Sequence, residues 1–193
     1  MLRVNEIFHS IQGESTHAGR PCVFVRLTGC PLRCVWCDTA YAFHEGSPMA
    51  VEAIVEQVLS YGCPLVEVTG GEPLAQPRSI ELLHALVGRG LEVMLETSGA
   101  LPIGAVPSGV RRIVDVKCPG SGEAHRNLWG NLDALREGDE IKFVLAARST
   151  TTGRKTSCAS AASTVARRCS SRRCARRSTR ACSLPGSSRT ACR

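Results

Sequence analysis

The sequence predicts an α/β fold built on a largely parallel sheet, and three observations carry that prediction. Short β-branched, apolar runs alternate with helical stretches of ten or so residues, the pattern of βαβ units with right-handed crossovers. Runs such as residues 22–27 are apolar on both faces, as strands covered on both sides are. The segments richest in Gly, Cys, Asp and Glu follow those runs directly, and strand C-terminal ends are where α/β barrels place active sites.

Taken in order, residues 5–16 begin apolar and break at Gly13, so that Gln12-Gly13-Glu14 reads on composition as a solvated turn. Residues 22–27 form a buried strand in which Arg26 is the exception. It is either an arginine snorkelling from a strand end or a fork presented to a carboxylate. Residues 49–61 carry Val51, Ile54, Val55, Val58 and Leu59 on one stripe of an amphipathic helix that ends at Gly62. Residues 65–69 are a strand running into Gly70-Gly71-Glu72-Pro73. Ile80, Leu83, His84 and Val87 mark a second helix ending near Gly90. Residues 92–96 are the next strand, closed by Thr97-Ser98-Gly99. Residues 112–117 read as a fourth strand, 127–136 as a weak helix and 140–145 as a fifth strand.

The net charge of +7 over 193 residues is not spread along the chain. Residues 1–147 hold 12 Lys/Arg against all 17 Asp/Glu, whereas residues 148–193 hold 12 Lys/Arg and no acid. The basic pI therefore describes the C-terminal segment and says nothing of the body. The first residues lack an apolar signal core, and no run approaches the ~20 apolar residues that cross a bilayer.

Cys30, Cys34 and Cys37 stand at spacing C-x3-C-x2-C in the loop after residues 22–27. Thiolates hold iron–sulfur clusters, and a four-iron cluster ordinarily takes four of them. A run of three leaves one iron open, as catalytic metal sites leave a position open. A structural zinc site would need a fourth Cys or His at short spacing; Cys63 and Cys118 lack companions and His44 stands alone. Three core cysteines within eight residues, beside Pro31 and Arg33, would be a poor core pattern. The remaining cysteines of the body are scattered, which is no disulfide framework, and an open iron–sulfur site calls for a reducing compartment such as the cytoplasm. Asp38-Thr39 is either an Asx-type turn or a hard oxygen pair beside Mg²⁺.

With Trp36 just before the third cysteine, the run resembles the signature of the radical S-adenosylmethionine (SAM) superfamily. The resemblance implies a 4Fe-4S cluster on Cys30, Cys34 and Cys37, with SAM chelated at the open iron and cleaved to a 5′-deoxyadenosyl radical. It also implies an electron donor such as flavodoxin or ferredoxin. Gly70-Gly71-Glu72 resembles the superfamily's Gly-Gly-Glu segment, implying that Gly71 and Glu72 hold the SAM amino group.

Residues 5–43 and 65–99 further resemble the 7-carboxy-7-deazaguanine synthase family of the queuosine pathway. The carriers are Asn5-Glu6-Ile7-Phe8, Ile11-Gln12-Gly13-Glu14, Phe24-Val25-Arg26, Gly29-Cys30, Trp36-Cys37-Asp38-Thr39 and Leu95-Glu96-Thr97-Ser98-Gly99. That resemblance implies an incomplete (β/α) barrel, a homodimer, and a lyase converting 6-carboxy-tetrahydropterin to 7-carboxy-7-deazaguanine with SAM and Mg²⁺. It implies pterin contacts from Ile11, Gln12, Gly13, Arg26 and Thr97, with Arg26 pairing the pterin carboxylate. SAM contacts are implied for Trp36, Cys37, Asp38, Gly99, Asp115, Val116 and Lys117, and Mg²⁺ ligation for Thr39. Ser15 stands where the family often has Gly, and Asp115-Val116-Lys117 where many members have Ser-Pro-Lys.

Residues 148–193 break from this pattern: 40 of the 46 are Arg, Ser, Ala, Thr or Cys, and all eight aromatics of the protein lie earlier. Such a composition buries too little apolar surface to offset backbone ordering at ~1–2 kcal/mol per residue, so disorder is expected. Nucleic-acid binding is the obvious use of free arginines, yet the segment has no aromatic on which bases could stack. An out-of-frame translation of a GC-rich reading frame accounts for the same composition. The family closes its sheet with a further helix and strand and takes late substrate contacts there; none is recognisable in this segment, so weak or absent turnover is expected if the segment is the native reading frame. Two alternatives to the deazaguanine reading stand. One is a radical SAM activating enzyme acting on a partner protein, which would not be expected to carry Gln12-Gly13-Glu14 and Arg26. The other is a non-catalytic metal-binding, RNA-associated module built on the cysteine loop and the basic tail.

Overall fold

The computed structural model describes residues 1–145 and the backbone of Ser163–Arg168. Along them run β1 (Leu2–Ile11), β2 (Pro21–Leu27), β3 (Ser47–Met49), α1 (Val51–Ser60), β4 (Leu65–Gly70), α2 (Ser79–Gly88), β5 (Glu92–Thr97), β6 (Val110–Asp115), β7 (Glu140–Leu145) and β8 (Ser163–Arg168). All strands join one sheet in the order β3-β1-β2-β4-β5-β6-β7-β8. Strands β2, β4, β5, β6 and β7 run parallel, while β1 is antiparallel to β2 and β3, and β8 to β7. The α/β class and the parallel core are as the sequence predicts.

The crossovers through α1 and α2 step the same way across the sheet, so right-handed connection puts both helices on one face. That face buries Val23, Val25, Leu27, Val66, Val68, Val93 and Leu95 against Ile54, Val55, Val58, Leu82, Leu83 and Leu86. Each such side chain contributes about 1.5–3 kcal/mol by leaving water. Strand side chains alternate between faces. The register therefore sends Arg26, Glu67, Thr69, Glu96, Asp115 and Lys142 to the opposite, helix-free face. One side of the sheet is thus an apolar wall and the other a polar floor.

Several predicted elements move. Residues 5–11 belong to a ten-residue strand, β1, whose alternation is broken by a register shift between Val4 and Glu6. That bulge hides the period of two from a sequence reading. Met49 lies in the edge strand β3 opposite Leu2, and α1 starts at Val51. Helix α2 is apolar enough to offer two stripes; it buries Ser79, Leu82, Leu83 and Leu86 and leaves His84 exposed. Strand β6 starts and ends two residues before the predicted 112–117.

Residues 127–136 form no α-helix but a 3₁₀ turn, Trp129–Leu132, because Asn131 spends its side chain on the neighbouring loop. Its Nδ2 donates to Gly99 O (3.1 Å) and Leu101 O (2.9 Å), and its Oδ1 accepts from Ile103 N (3.2 Å). Where helices would cover β6, a fully buried ion pair does so instead. Arg112 donates to Asp139 through Nε (2.9 Å) and Nη2, to Ile103 O (3.2 Å) and to Ala134 O (2.8 Å). Of the segment 148–193, the described part is the β8 backbone paired with β7; the expectation of disorder for the remainder concerns residues outside those described.

Candidate functional site

The C-terminal ends of β2, β4, β5 and β6 lie side by side on one rim, each followed by a segment singled out in the sequence. The cysteine loop after β2 is held from both flanks. Thr28 N donates to Arg3 O (3.0 Å), Gly29 N to Ala42 O (2.8 Å) and Val35 N to Ser121 O (3.0 Å). The Arg33 guanidinium turns back, donating to Cys30 O and Leu32 O (both 2.7 Å) and lying 4.2 Å from the Phe43 ring centroid. Trp36 packs so tightly on Gly120 that a Cβ there would sit 2.7 Å from the indole.

Cys30, Cys34 and Cys37 are partly buried free thiols. Among the described residues no three Cys, His, Asp or Glu converge on a single-ion site. Thiols spread around a loop suit a polynuclear cluster, in which each ligated iron takes one thiolate. Burial pushes the Cys30 and Cys34 thiols up, with the Lys117 ammonium pulling Cys34 the other way. Coordination to a cation supplies the missing deprotonation.

Gly70 and Gly71 pass directly over the start of the cysteine loop. A Cβ on Gly70 would lie 2.2 Å from Leu27 O, and one on Gly71 2.2 Å from Gly29 O. Gly70 also has φ +131°, a conformation that L side chains rarely adopt. The close approach lets Gly71 N donate to Leu27 O (3.0 Å) and Glu72 N to Gly29 O (2.7 Å). Glu72 is fully buried, and its carboxylate accepts from Leu74 N (2.9 Å), Thr97 Oγ1 (2.9 and 3.0 Å), Ser98 N (2.7 Å) and Ser98 Oγ. Its side chain ties the β4 loop to the β5 loop, and Thr97 spends its hydroxyl in the same tie. Gly99 follows at φ +72°, against Asp115 O.

Asp115 and Lys117 form an ion pair at 2.6 Å beside the cysteine loop. Asp115 Oδ1 is buried without a hydrogen-bond partner, and burial raises its carboxyl against the pull of Lys117. Val116 is buried and donates its N–H to Lys142 O (2.9 Å). Asp38 is exposed; Thr39 is half-buried, its hydroxyl 3.8 Å from Cys37 Sγ.

On the polar floor, Arg26 Nε donates to Glu6 Oε1 (2.7 Å) and its guanidinium lies 5.9 Å from the Phe8 and Tyr41 ring centroids. This is a held fork rather than a snorkelling side chain. Gln12 is buried, and its Nε2 donates to Glu67 Oε2 at 2.5 Å. Ile11 and Gly13 flank it and are exposed. Lys142 Nζ joins Glu96 Oε1 (2.6 Å) and Glu14 Oε2. Glu67, Glu96, Lys142, Glu14 and Asn131 carry no site role in the sequence reading. The available signal was a charge at an interior position of an apolar strand, as in Leu65-Val-Glu-Val-Thr69 and Glu140-Ile-Lys-Phe-Val144.

The comparisons with known proteins bear on this rim directly. Residues 24–117, which span the cysteine loop through Lys117, match the family model described as the Radical SAM superfamily. The fold and the site therefore define a radical SAM chain. A 7-carboxy-7-deazaguanine synthase from Koribacter versatilis is 50% identical over 151 residues, covering 77% of this chain and 66% of that protein. The Chlorobaculum tepidum synthase of the same name is 46% identical over 149 residues, covering 77% and 68%. The chain belongs to the 7-carboxy-7-deazaguanine synthase family. In three dimensions it is similar to QueE from Escherichia coli, with a TM-score of 0.55 and 26% identity over 59% of each chain. The chain spans about two thirds of the length of the first of these relatives. No helix of the described residues is long and apolar enough to cross a membrane.

The residues present fit the group that the superfamily implies. Three thiols share one loop, a glycine pair brings backbone close to that loop, and a buried carboxylate oxygen at Asp115 lacks a partner.

Proposed function

We propose that this chain is a lyase that converts 6-carboxy-5,6,7,8-tetrahydropterin to 7-carboxy-7-deazaguanine. The observation that carries the reading is the convergence on one rim of the cysteine loop, the glycine pair and the Thr97–Gly99 turn, above a polar floor holding Arg26 and Gln12. When bound, the 4Fe-4S cluster and SAM would supply the electron and the carbon-radical chemistry that a ring contraction of the pterin with loss of ammonia calls for.

The chain's own residues bind and orient. Cys30, Cys34 and Cys37 would hold the cluster. Trp36, Cys37, Asp38, Gly71, Glu72, Gly99, Asp115, Val116 and Lys117 would form the SAM cradle, Glu72 by fastening two of its loops together and Asp115 Oδ1 by accepting from the ligand. Arg26, whose Nε is taken by Glu6, would offer its terminal nitrogens to the pterin carboxylate, a pairing for which a planar fork is suited. Ile11, Gln12, Gly13 and Thr97 would border the pterin ring. Thr39 would ligate Mg²⁺, which keeps most of its waters and takes few protein ligands.

In this reading residues 1–147 are the radical SAM partial barrel and 148–193 a tail, of which Ser163–Arg168 pairs with β7 at the sheet edge. An electron donor such as flavodoxin or ferredoxin, a homodimer and a cytoplasmic setting complete it. Anaerobic reconstitution followed by an assay for 5′-deoxyadenosine tests the proposal. Release stimulated by the carboxy-pterin, together with deazaguanine product, is the expected result. Release stimulated by a polypeptide instead, or none with reconstituted protein, counts against it.

A further inference from the structure

Glu67 on β4 and Glu96 on β5 face the same polar floor from neighbouring strands, and the proposed reaction uses neither. Glu67 is 3% exposed and Gln12 likewise. Gln12 Nε2 donates to Glu67 Oε2 at 2.5 Å, while Gln12 Oε1 accepts from Glu14 N at 3.0 Å. The backbone of Gln12 completes the turn, accepting from Gly19 N (2.7 Å) and donating to Arg20 O (2.8 Å). The Gln12 amide is therefore the pivot of the segment that links β1 to β2, and Glu67 is what holds that amide from the floor.

The charges around Glu67 do not balance if every carboxyl is ionised. Glu96 and Glu14 share the single ammonium of Lys142, and Thr69 Oγ1 donates to Glu96 at 3.3 Å. From β2, Arg26 pairs with Glu6; from β6, Asp115 pairs with Lys117 at 2.6 Å; and burial pushes the Cys22 thiol up to about 12, so it stays neutral. With those pairs set aside, Glu14, Glu67 and Glu96 are left with the one ammonium of Lys142, and the carboxyl that bonds to an amide rather than the ammonium is Glu67. Burying an ionised carboxylate without a cation costs several kcal/mol, and such a group keeps its proton instead.

We propose that Glu67 is a positioning residue that works as a neutral carboxylic acid: it accepts from Gln12 Nε2, donates its proton to Glu96, and so fixes the Gln12-Gly13-Glu14 turn. That the turn faces a pterin rests on the function proposed above; the protonation and the hold on the turn do not. Burial, then the charge of Glu96, raises the Glu67 carboxyl well above its ordinary range; burial also pushes Glu96 up, but Lys142, the hydrogen bond from Glu67 and the charge of Lys117 together hold it below its ordinary value. An acid protonated in the fold and ionised when unfolded loses stability for the fold as pH rises from the ordinary carboxylate range towards its folded pKa. Glutamine has the same shape and carries both an acceptor and a donor, so Glu67→Gln keeps both bonds and removes that pH dependence.

The test is carboxyl-carbon NMR of Glu-labelled protein, with amide exchange at Gln12 and Gly19, on the wild type, Glu67→Gln and Glu67→Ala. The expected spectrum has one glutamate still protonated at neutral pH, and that signal is missing from Glu67→Gln. Exchange in Glu67→Gln stays within about twofold of wild type, and in Glu67→Ala it quickens about tenfold, as loss of a buried hydrogen bond to the turn requires. Ordinary titration of every glutamate, or a turn opened by Glu67→Gln, overturns the proposal. Should Glu67→Ala not fold, Glu67→Gln alone decides. Neither readout involves substrate, so a failed pterin assay bears on the proposed function and not on this inference.

Discussion

Replacing Gly71 by Ala tests whether the glycine pair exists to bring the β4 loop onto the cysteine loop. The added Cβ would lie 2.2 Å from Gly29 O, 2.6 Å from Gly29 C and 3.1 Å from Cys30 Cβ, all in the loop that starts the three-thiol run. Ordinary contact begins near 3.4 Å, so the two loops must part by about 1 Å. Parting stretches the bonds from Gly71 N to Leu27 O (3.0 Å) and from Glu72 N to Gly29 O (2.7 Å). Each contributes ~1 kcal/mol, and forcing atoms into a packed site costs ~1–3 kcal/mol more, for a total of about 3–5 kcal/mol. In a chain of this length that lowers the melting temperature by roughly 10 °C. Because the displaced atoms include Cys30, iron retention should fall further than stability alone predicts. The assay is iron and acid-labile sulfide per folded chain after anaerobic reconstitution, beside thermal melting. A Gly71→Ala protein with full iron content and an unchanged melting curve would refute the reasoning.

Other consequences are as direct. Arg112→Met leaves Asp139 buried without its cation and Ile103 O and Ala134 O without a donor, so urea unfolding should show a loss of about 3–5 kcal/mol. Ser15 holds φ +63°, which costs a non-glycine residue ~1–2 kcal/mol, against a few tenths lost with its Oγ cap on His17 N. Ser15→Gly should therefore raise the unfolding free energy by about 1 kcal/mol in the same measurement. Arg20 and then His17 draw the Glu92 carboxyl down to about 2 against burial, so its stabilisation is present above the ordinary carboxylate range and is lost as pH falls towards 2. Melting curves of wild type and Glu92→Gln should differ at neutral pH and converge in that acid window.

What was legible in the sequence follows from how local each signal is. The cysteine spacing, Gly70-Gly71 and the strand ends are short-range patterns, and the fold places all of them on one rim. Strand β1 was missed because its bulge shifts the alternation midway, and the residue 127–136 helix was misassigned because Asn131 serves loops near 99–103 rather than its own turn. The polar floor was the least readable part. Glu67 meets Gln12 across 55 residues, Glu96 meets Lys142 across 46, and Glu14 meets Lys142 across 128; no window of sequence contains such pairs. A charged residue inside an apolar strand is the trace they leave, and its partner appears only once the register is known.

The central claim is that three sulfurs leave one corner of an iron cluster available to SAM. Low-temperature EPR of the dithionite-reduced, anaerobically reconstituted protein, recorded with and without SAM, tests it most directly. The account predicts a cluster of about four irons per chain whose spectrum changes when SAM is added. A protein that takes up no cluster, or whose signal is indifferent to SAM, would contradict it.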